Sequence, residues 1–304
     1  MSSAPRASAV DPPPPPDTAP PSRAKPIVPF VLLLATVLVP TLFWFQNSFA
    51  RELSDERLAA YLDARASATE VQHAVTELSR RIEAESRGAA PKGKPASAFY
   101  ESVAALGKAE GPDGAAKRQS AAWLMQFDAR ADVFRRALHA LLADPAPLVR
   151  WNAATSLSRF GDPAARPALL EMLRPYDVLA STAGTFHADA VLEETMGVGS
   201  GGRLGTVTTT AGKMEILSPV LGRVMSLATD GKAVVPGDML ARLAPSQAAG
   251  MNAMAALALP GMGRPEDVAV IEEFLRHQPT LQPQVEKQAQ ATKSALRGDA
   301  PASR

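Results

Sequence analysis

Few residues of this 304-residue chain have types and spacing that could do chemistry. His187-Ala-Asp189 sets two metal-ligand types on one face of a strand, but no third ligand follows nearby. His73, His139 and His277 are scattered. Gly197-Val-Gly-Ser-Gly-Gly202 has the letter of a dinucleotide-binding loop. It lacks the preceding strand, the following helix and the later acidic residue that such a loop needs, so it reads as a plain loop. No serine sits in the strained turn of an activated nucleophile. Cysteine is absent, which excludes thiol catalysis, disulfides and cysteine metal sites. Lys213, in Thr210-Ala-Gly-Lys213-Met214-Glu215, is an exposed amine in a turn. No catalytic residue, metal site or resident cofactor emerges, and the expectation is a protein that is not an enzyme.

Lys213 lies in the part of the chain that reads as β-structure. Val178-Leu-Ala-Ser-Thr-Ala-Gly184-Thr-Phe186 recurs as Ile216-Leu-Ser-Pro219-Val-Leu-Gly222-Arg-Val224, about 38 residues on. Each copy reads as strand, tight turn needing glycine, strand. Such a repeat predicts two similar half-units packed together. Further turns are expected at Gly231 and Gly237, with short apolar strands between them.

On either side the pattern is helical. Ser54 can cap a helix opened by Asp55 and Glu56. Phe134, Leu138, Leu141 and Leu142 share one helix face. In Asp144-Pro145-Ala-Pro-Leu-Val149-Arg150-Trp-Asn-Ala153-Ala154-Thr-Ser-Leu157-Ser-Arg-Phe160-Gly161-Asp162, Asp144-Pro145 ends one helix and starts the next. Val149, Ala153 and Leu157 then face one way, Ala154 permits close helix approach, and Gly161 can end the helix. Arg150 is expected to bond across neighbouring turns. Glu70 to Leu78 and Lys117 to Leu124 read as second helices of similar pairs. Helical patterning returns at Asn252 to Leu259, at Arg264 to Leu275 with Pro265 in a first turn, and at Gln284 to Leu296. Met251, Met254 and Met262 are expected to pack between helices.

The stretch from Asp144 to Leu173 resembles a HEAT repeat, with its Asp-Pro turn, Val-Arg pair, paired alanines and glycine before the next helix. Val178 to Leu243 resembles the biotinyl/lipoyl half-motifs and the barrel-sandwich module of membrane-fusion proteins, the periplasmic adaptors of efflux and secretion systems. Leu243-Ala-Pro-Ser246 looks adaptor-like too. Two expectations attach to that resemblance. In carrier domains a hairpin-tip lysine holds biotin or lipoate, which would make Lys213 a modification site; it lies about two residues nearer Pro219 than carriers show. In adaptors the module is a rigid block without cofactor. Adaptors also carry a long helical hairpin, for which Phe186 to Leu217 is too short and too glycine-rich.

Residues 1–25 contain Pro12 to Pro16 in a row and read as a disordered, partly polyproline tail. Pro26 to Ala50 carries no charge, and Ile27 to Phe45 is long and apolar enough for a bilayer span ending in Phe43, Trp44 and Phe45. A cleaved signal peptide is the rival, with Ser48-Phe49-Ala50 as its cleavage site. The flanking Arg23 and Lys25 against Arg51, Arg57 and Arg65 do not decide orientation. The adaptor resemblance implies an inner-membrane protein with a cytoplasmic N-terminus and an extracytoplasmic C-terminal domain.

The fold expected is mainly α: a tail (1–25), a transmembrane helix (26–46), HEAT-like repeats (51–176), an inserted β-module (177–246), repeats again (247–297) and a tail (298–304). A net charge of +1 gives no electrostatic case for nucleic acid. The function expected is a membrane-anchored, non-catalytic adaptor or scaffold with protein partners, a transporter or a further copy of the chain among them. The alternatives are a carrier subunit using Lys213 and a general interaction protein unrelated to transport.

Overall fold

A computed structural model describes residues 52–91 and 93–298. The expected tail and membrane span therefore lie outside the described residues, and no helix within them is long and apolar enough to cross a membrane.

Helices come in pairs. The first members are α1 (Asp55–Tyr61), α3 (Tyr100–Leu106), α5 (Asp132–Leu141), α7 (Arg166–Glu171) and α9 (Asp267–Arg276). Their partners are α2 (Ala68–Ser86), α4 (Gly114–Leu124), α6 (Pro147–Arg159), α8 (Gln247–Leu257) and α10 (Pro283–Arg297). The second members lie side by side in one row, α2 on α4, α4 on α6, α6 on α8, and α8 on α10.

Local signals start and stop these helices. Ser54 accepts from the Arg57 amide at the head of α1. Ser67 and Glu70 form a reciprocal capping box on α2, a Ser-x-x-Glu signature that could have been read from sequence. Gly161, at φ +67°, ends α6, with its amide on the Ser158 carbonyl and the Asp162 amide on that of Leu157. This pair of bonds satisfies carbonyls the last turn would leave unpaired. Two expected starts move. Pro147, not Pro145, opens α6, because the Asp144 carboxylate first turns the chain by accepting from the Ala146 amide at 2.9 Å. Helix α9 begins at Asp267, with Pro265 in the turn before it, where the Asp267 carboxylate accepts from the Arg264 amide.

Between α7 and α8 the chain builds β1 (Tyr176–Leu179), β2 (Gly184–Ala188), β3 (Gly197–Val198), β4 (Arg203–Thr209), β5 (Gly212–Leu217), β6 (Gly222–Leu227), β7 (Lys232–Val234) and β8 (Met239–Pro245). They form two four-stranded antiparallel sheets, ordered β1-β8-β6-β3 and β5-β4-β2-β7. Adding four to each label, modulo eight, converts one order into the other. The halves are therefore related by an internal two-fold and exchange strands, β1 pairing with β8 and β5 with β4. Hydrogen bonds repeat the relation. Gly237 donates to Ala180 as Gly201 does to Ser218, and Gly231 to Phe186 as Thr195 does to Val224. Thr195, at φ 79°, holds the left-handed conformation that its counterpart Gly231 adopts at φ +75°. Buried Phe186, Leu204 and Val207 from one half meet Val224, Leu240 and Leu243 from the other.

The repeated glycines act differently from the expectation. Gly231 and Gly237 have positive φ and turn the chain. Gly184 and Gly222 have no such φ and open β2 and β6. A Cβ on either would collide with a backbone carbonyl of the neighbouring strand, Thr208 for Gly184 and Ala244 for Gly222. Close strand approach, not a turn, requires them.

The module leaves and rejoins the helices at one place, since Tyr176 and Leu243 are register partners. Excising residues 177–242 and joining that pair through two glycines is therefore expected to leave the helical row folded. Far-UV circular dichroism should retain the helical signal and a cooperative thermal transition; a loss of cooperativity would show that the row depends on the module.

Candidate interaction surfaces

The residues expected to define the HEAT-like turn do converge. Arg150 donates to the carbonyls of Asp144 at 2.7 Å and Pro145 at 3.1 Å, and its guanidinium also pairs with Glu171 on α7. The Glu171 carboxylate, partly offset by burial, raises the Arg150 pKa above its ordinary value. Asp144 is buried and receives Arg118 of α4 through two bonds of 2.6 and 3.1 Å. Val149, Ala153, Ala154 and Leu157 are buried against neighbouring helices. These residues hold the array together and leave no polar group aimed at a ligand.

Across the row of second helices, polar side chains stitch neighbours. Ser120 of α4 donates to Gln72 of α2, Ser156 of α6 to the Ala122 carbonyl, Arg159 of α6 to Gln126, and Thr292 of α10 to the Met254 carbonyl of α8. Among the described residues no side-chain hydrogen bond joins α6 to α8. A groove of 610 Å³ opens there instead, lined by Thr155, Ser158 and Arg159 on one side and by Asn252, Ala255 and Leu259 on the other. Arg159 is the one charged residue of that lining. A second groove, of 430 Å³, lies between α3 and α5.

The β-module is tied to the helices by polar contacts near the end of α9. Arg223 of β6 donates to the His277 carbonyl at 2.6 Å, and Gln278 donates to the Pro245 carbonyl. A guanidinium at a helix C-terminus also suits the helix dipole. On the module surface, Arg242 and Asp177 form two bonds of 2.6 and 2.8 Å. That partner holds the Asp177 carboxyl below the usual carboxylate range, against a weaker opposing effect of burial. Asp189 is likewise held low, by the Val191 amide and then by Arg203.

Lys213 is exposed but does not stand in the turn. The tip of the β4–β5 hairpin is Thr210-Ala211, and Lys213 pairs with Thr208 in the second rung. Pro219 lies in the link between β5 and β6. Of the metal-ligand pair, His187 lies 3.3 Å from Asp230, while Asp189 is taken by Arg203. No group of three acidic or histidine side chains that could hold a metal ion occurs among the described residues. The glycine-rich stretch forms β3 and the turn into β4, so its first two residues are strand and not loop. Met254 and Met262 are buried and Met251 partly so.

Residues 103–184 match the model of HEAT repeats. That stretch runs from within α3 to the first residue of β2, just over a quarter of the chain. Comparison with curated proteins finds no match. HEAT repeats suggest a scaffold for protein interaction, and the match places such repeats in this chain.

Proposed function

We propose that the chain is a non-catalytic scaffold that binds a protein partner along the row of second helices, at the groove between α6 and α8. The observation that carries this is the change in packing at that junction. Stitched helices lie on both sides, yet between α6 and α8 no side-chain hydrogen bond is found among the described residues and a 610 Å³ groove opens, lined mostly by small residues with Arg159 as its single charge. The HEAT match over 103–184 supports the reading, because stacked helical pairs present extended binding surfaces. The uncharged stretch from Pro26 to Ala50 would anchor this scaffold to a membrane, with the helical row and the module on the extracytoplasmic side. The module would then act as a stiff block beside the binding row, as its resemblance to adaptor modules implies.

Cross-linking in native membranes, followed by purification, tests the proposal. A protein partner is expected to come through in stoichiometric amount. It should be lost with Ala255→Trp, which fills the groove from an exposed position and spares the core. Recovery of the chain alone, or a partner indifferent to Ala255→Trp at unchanged thermal stability, would sink the reading. If the partner is a membrane transporter, the scaffold serves transport; if it is a soluble protein, the general interaction reading stands.

A further inference from the structure

The β5 strand is the edge of its sheet and the longest edge in the module. The other edges, β1, β3 and β7, have four, two and three residues, whereas β5 has six. Long unpaired edges are templates for another strand, and short ones are a common defence against that.

The hairpin fixes which groups of β5 look outward. Its two-residue tip makes Thr209 and Gly212 the closing pair, followed by Thr208 with Lys213, Val207 with Met214 and Thr206 with Glu215. In an antiparallel ladder the bonded pairs alternate, so the amides and carbonyls of Gly212, Met214 and Ile216 face β4. Those of Lys213 and Glu215 face away from the sheet. Both side chains are exposed on one face of the strand, and among the described residues neither makes a hydrogen bond or a salt bridge; Glu215 feels only the charge of Arg203, which is itself bonded to Asp189.

We propose that β5 pairs with β5 of a second copy of this chain, antiparallel about Met214, so that the two modules share one continuous eight-stranded sheet. Antiparallel pairing centred on Met214 sets Lys213 of each copy opposite Glu215 of the other. Those are the two residues whose backbone groups are unpaired, so four backbone hydrogen bonds form together with two opposite-charge pairs. The next rung brings Gly212 opposite Ile216, and Leu217, 47% exposed in the single chain, comes beside the hairpin tip of the other copy. The interface is isologous and uses up both β5 edges, so two copies complete it, and only the three-residue β7 remains as the edge at each end of the shared sheet. This dimer stands independently of the scaffold reading, since it uses the opposite end of the chemistry: backbone edges and charges of the module rather than the helical groove.

The chain has no cysteine, so a single introduced one reports only its own contact. In the full-length protein, Met214→Cys should form a disulfide-linked dimer under mild oxidation. Residues directly opposite in a non-bonded rung lie about 4.5 Å apart at Cα, within the range a disulfide spans. Thr208→Cys, one strand inward, should not cross-link. Adding Lys213→Glu to Met214→Cys sets glutamates opposite each other twice and should cut the cross-link yield about tenfold. Adding Glu215→Lys as well restores the pairing with signs reversed, and the yield should recover. A separate variant, Glu215→Pro, removes only an outward amide and should also lose the dimer while the hairpin stays folded. No cross-link at Met214→Cys overturns the proposal. So does a cross-link unmoved by Lys213→Glu, or one not recovered by the charge swap.

Discussion

Arg166→Met is expected to destabilise the helical row by about 3–5 kcal/mol, the usual cost of leaving a buried charge without its partner. Arg166, at the head of α7, reaches Asp267, at the head of α9, through bonds of 3.0 and 2.5 Å. The Asp267 side chain is only 2% exposed. The link joins α7 to α9 over about 100 residues of sequence that include the whole β-module. Asp267 keeps one acceptor role toward the Arg264 amide at 2.9 Å, which does not neutralise it. Urea unfolding should show the loss, and Arg166→Met with Asp267→Asn should recover much of it, because a neutral amide tolerates burial better than an unpaired carboxylate. A change below about 1 kcal/mol would mean that water reaches Asp267 and that the pair behaves as a surface bridge.

Gly184→Ala and Gly222→Ala are expected to cost about 3 kcal/mol each, the upper part of the range for forcing extra volume into a packed site. The atom in the way is a backbone carbonyl, which cannot rotate aside. Gly231→Ala and Gly237→Ala should cost less, about 1–2 kcal/mol, because space is open around both and only the left-handed backbone resists. Thermal unfolding of the four variants should rank them in those two pairs. Equal losses at all four positions would make them all turn residues and would contradict the close-approach account.

That ranking also separates what could be read in the sequence from what could not. The helical caps at Ser54 and Gly161, the apolar stripe of α5 and the start of α10 were legible because each depends on neighbours within one or two turns. The internal repeat is legible from glycines 38 residues apart, but their role is not. A left-handed turn is local, whereas close strand approach depends on Thr208 and Ala244, which the chain brings across from another strand. The place of Lys213 is hidden from the sequence for a related reason. Its glycine neighbour suggested a turn, but the hairpin closes earlier, at Thr210-Ala211, and carries Lys213 into the strand. The α6–α8 groove left no mark in the sequence, since its walls come from helices on either side of the module and exist only once those helices pack.

The exchange of strands between the halves of the β-module has a consequence for how the protein is made. Neither half can complete a sheet alone, because β1 waits for β8 and β5 closes on β4. The pair from Tyr176 to Leu243 closes a loop of more than 60 residues, a distant contact whose formation is slow. Until it closes, α7 and α8 are held apart by a flexible chain, and the helical row exists as two separate pieces. A ribosome delivering this chain from the N-terminus would therefore release α1 to α7 ready to stack, and the last three helices would join only after the module snaps shut. Closure of the β-module is expected to limit assembly of the helical row, and its rate to set how long the apolar faces of α8 to α10 stay uncovered.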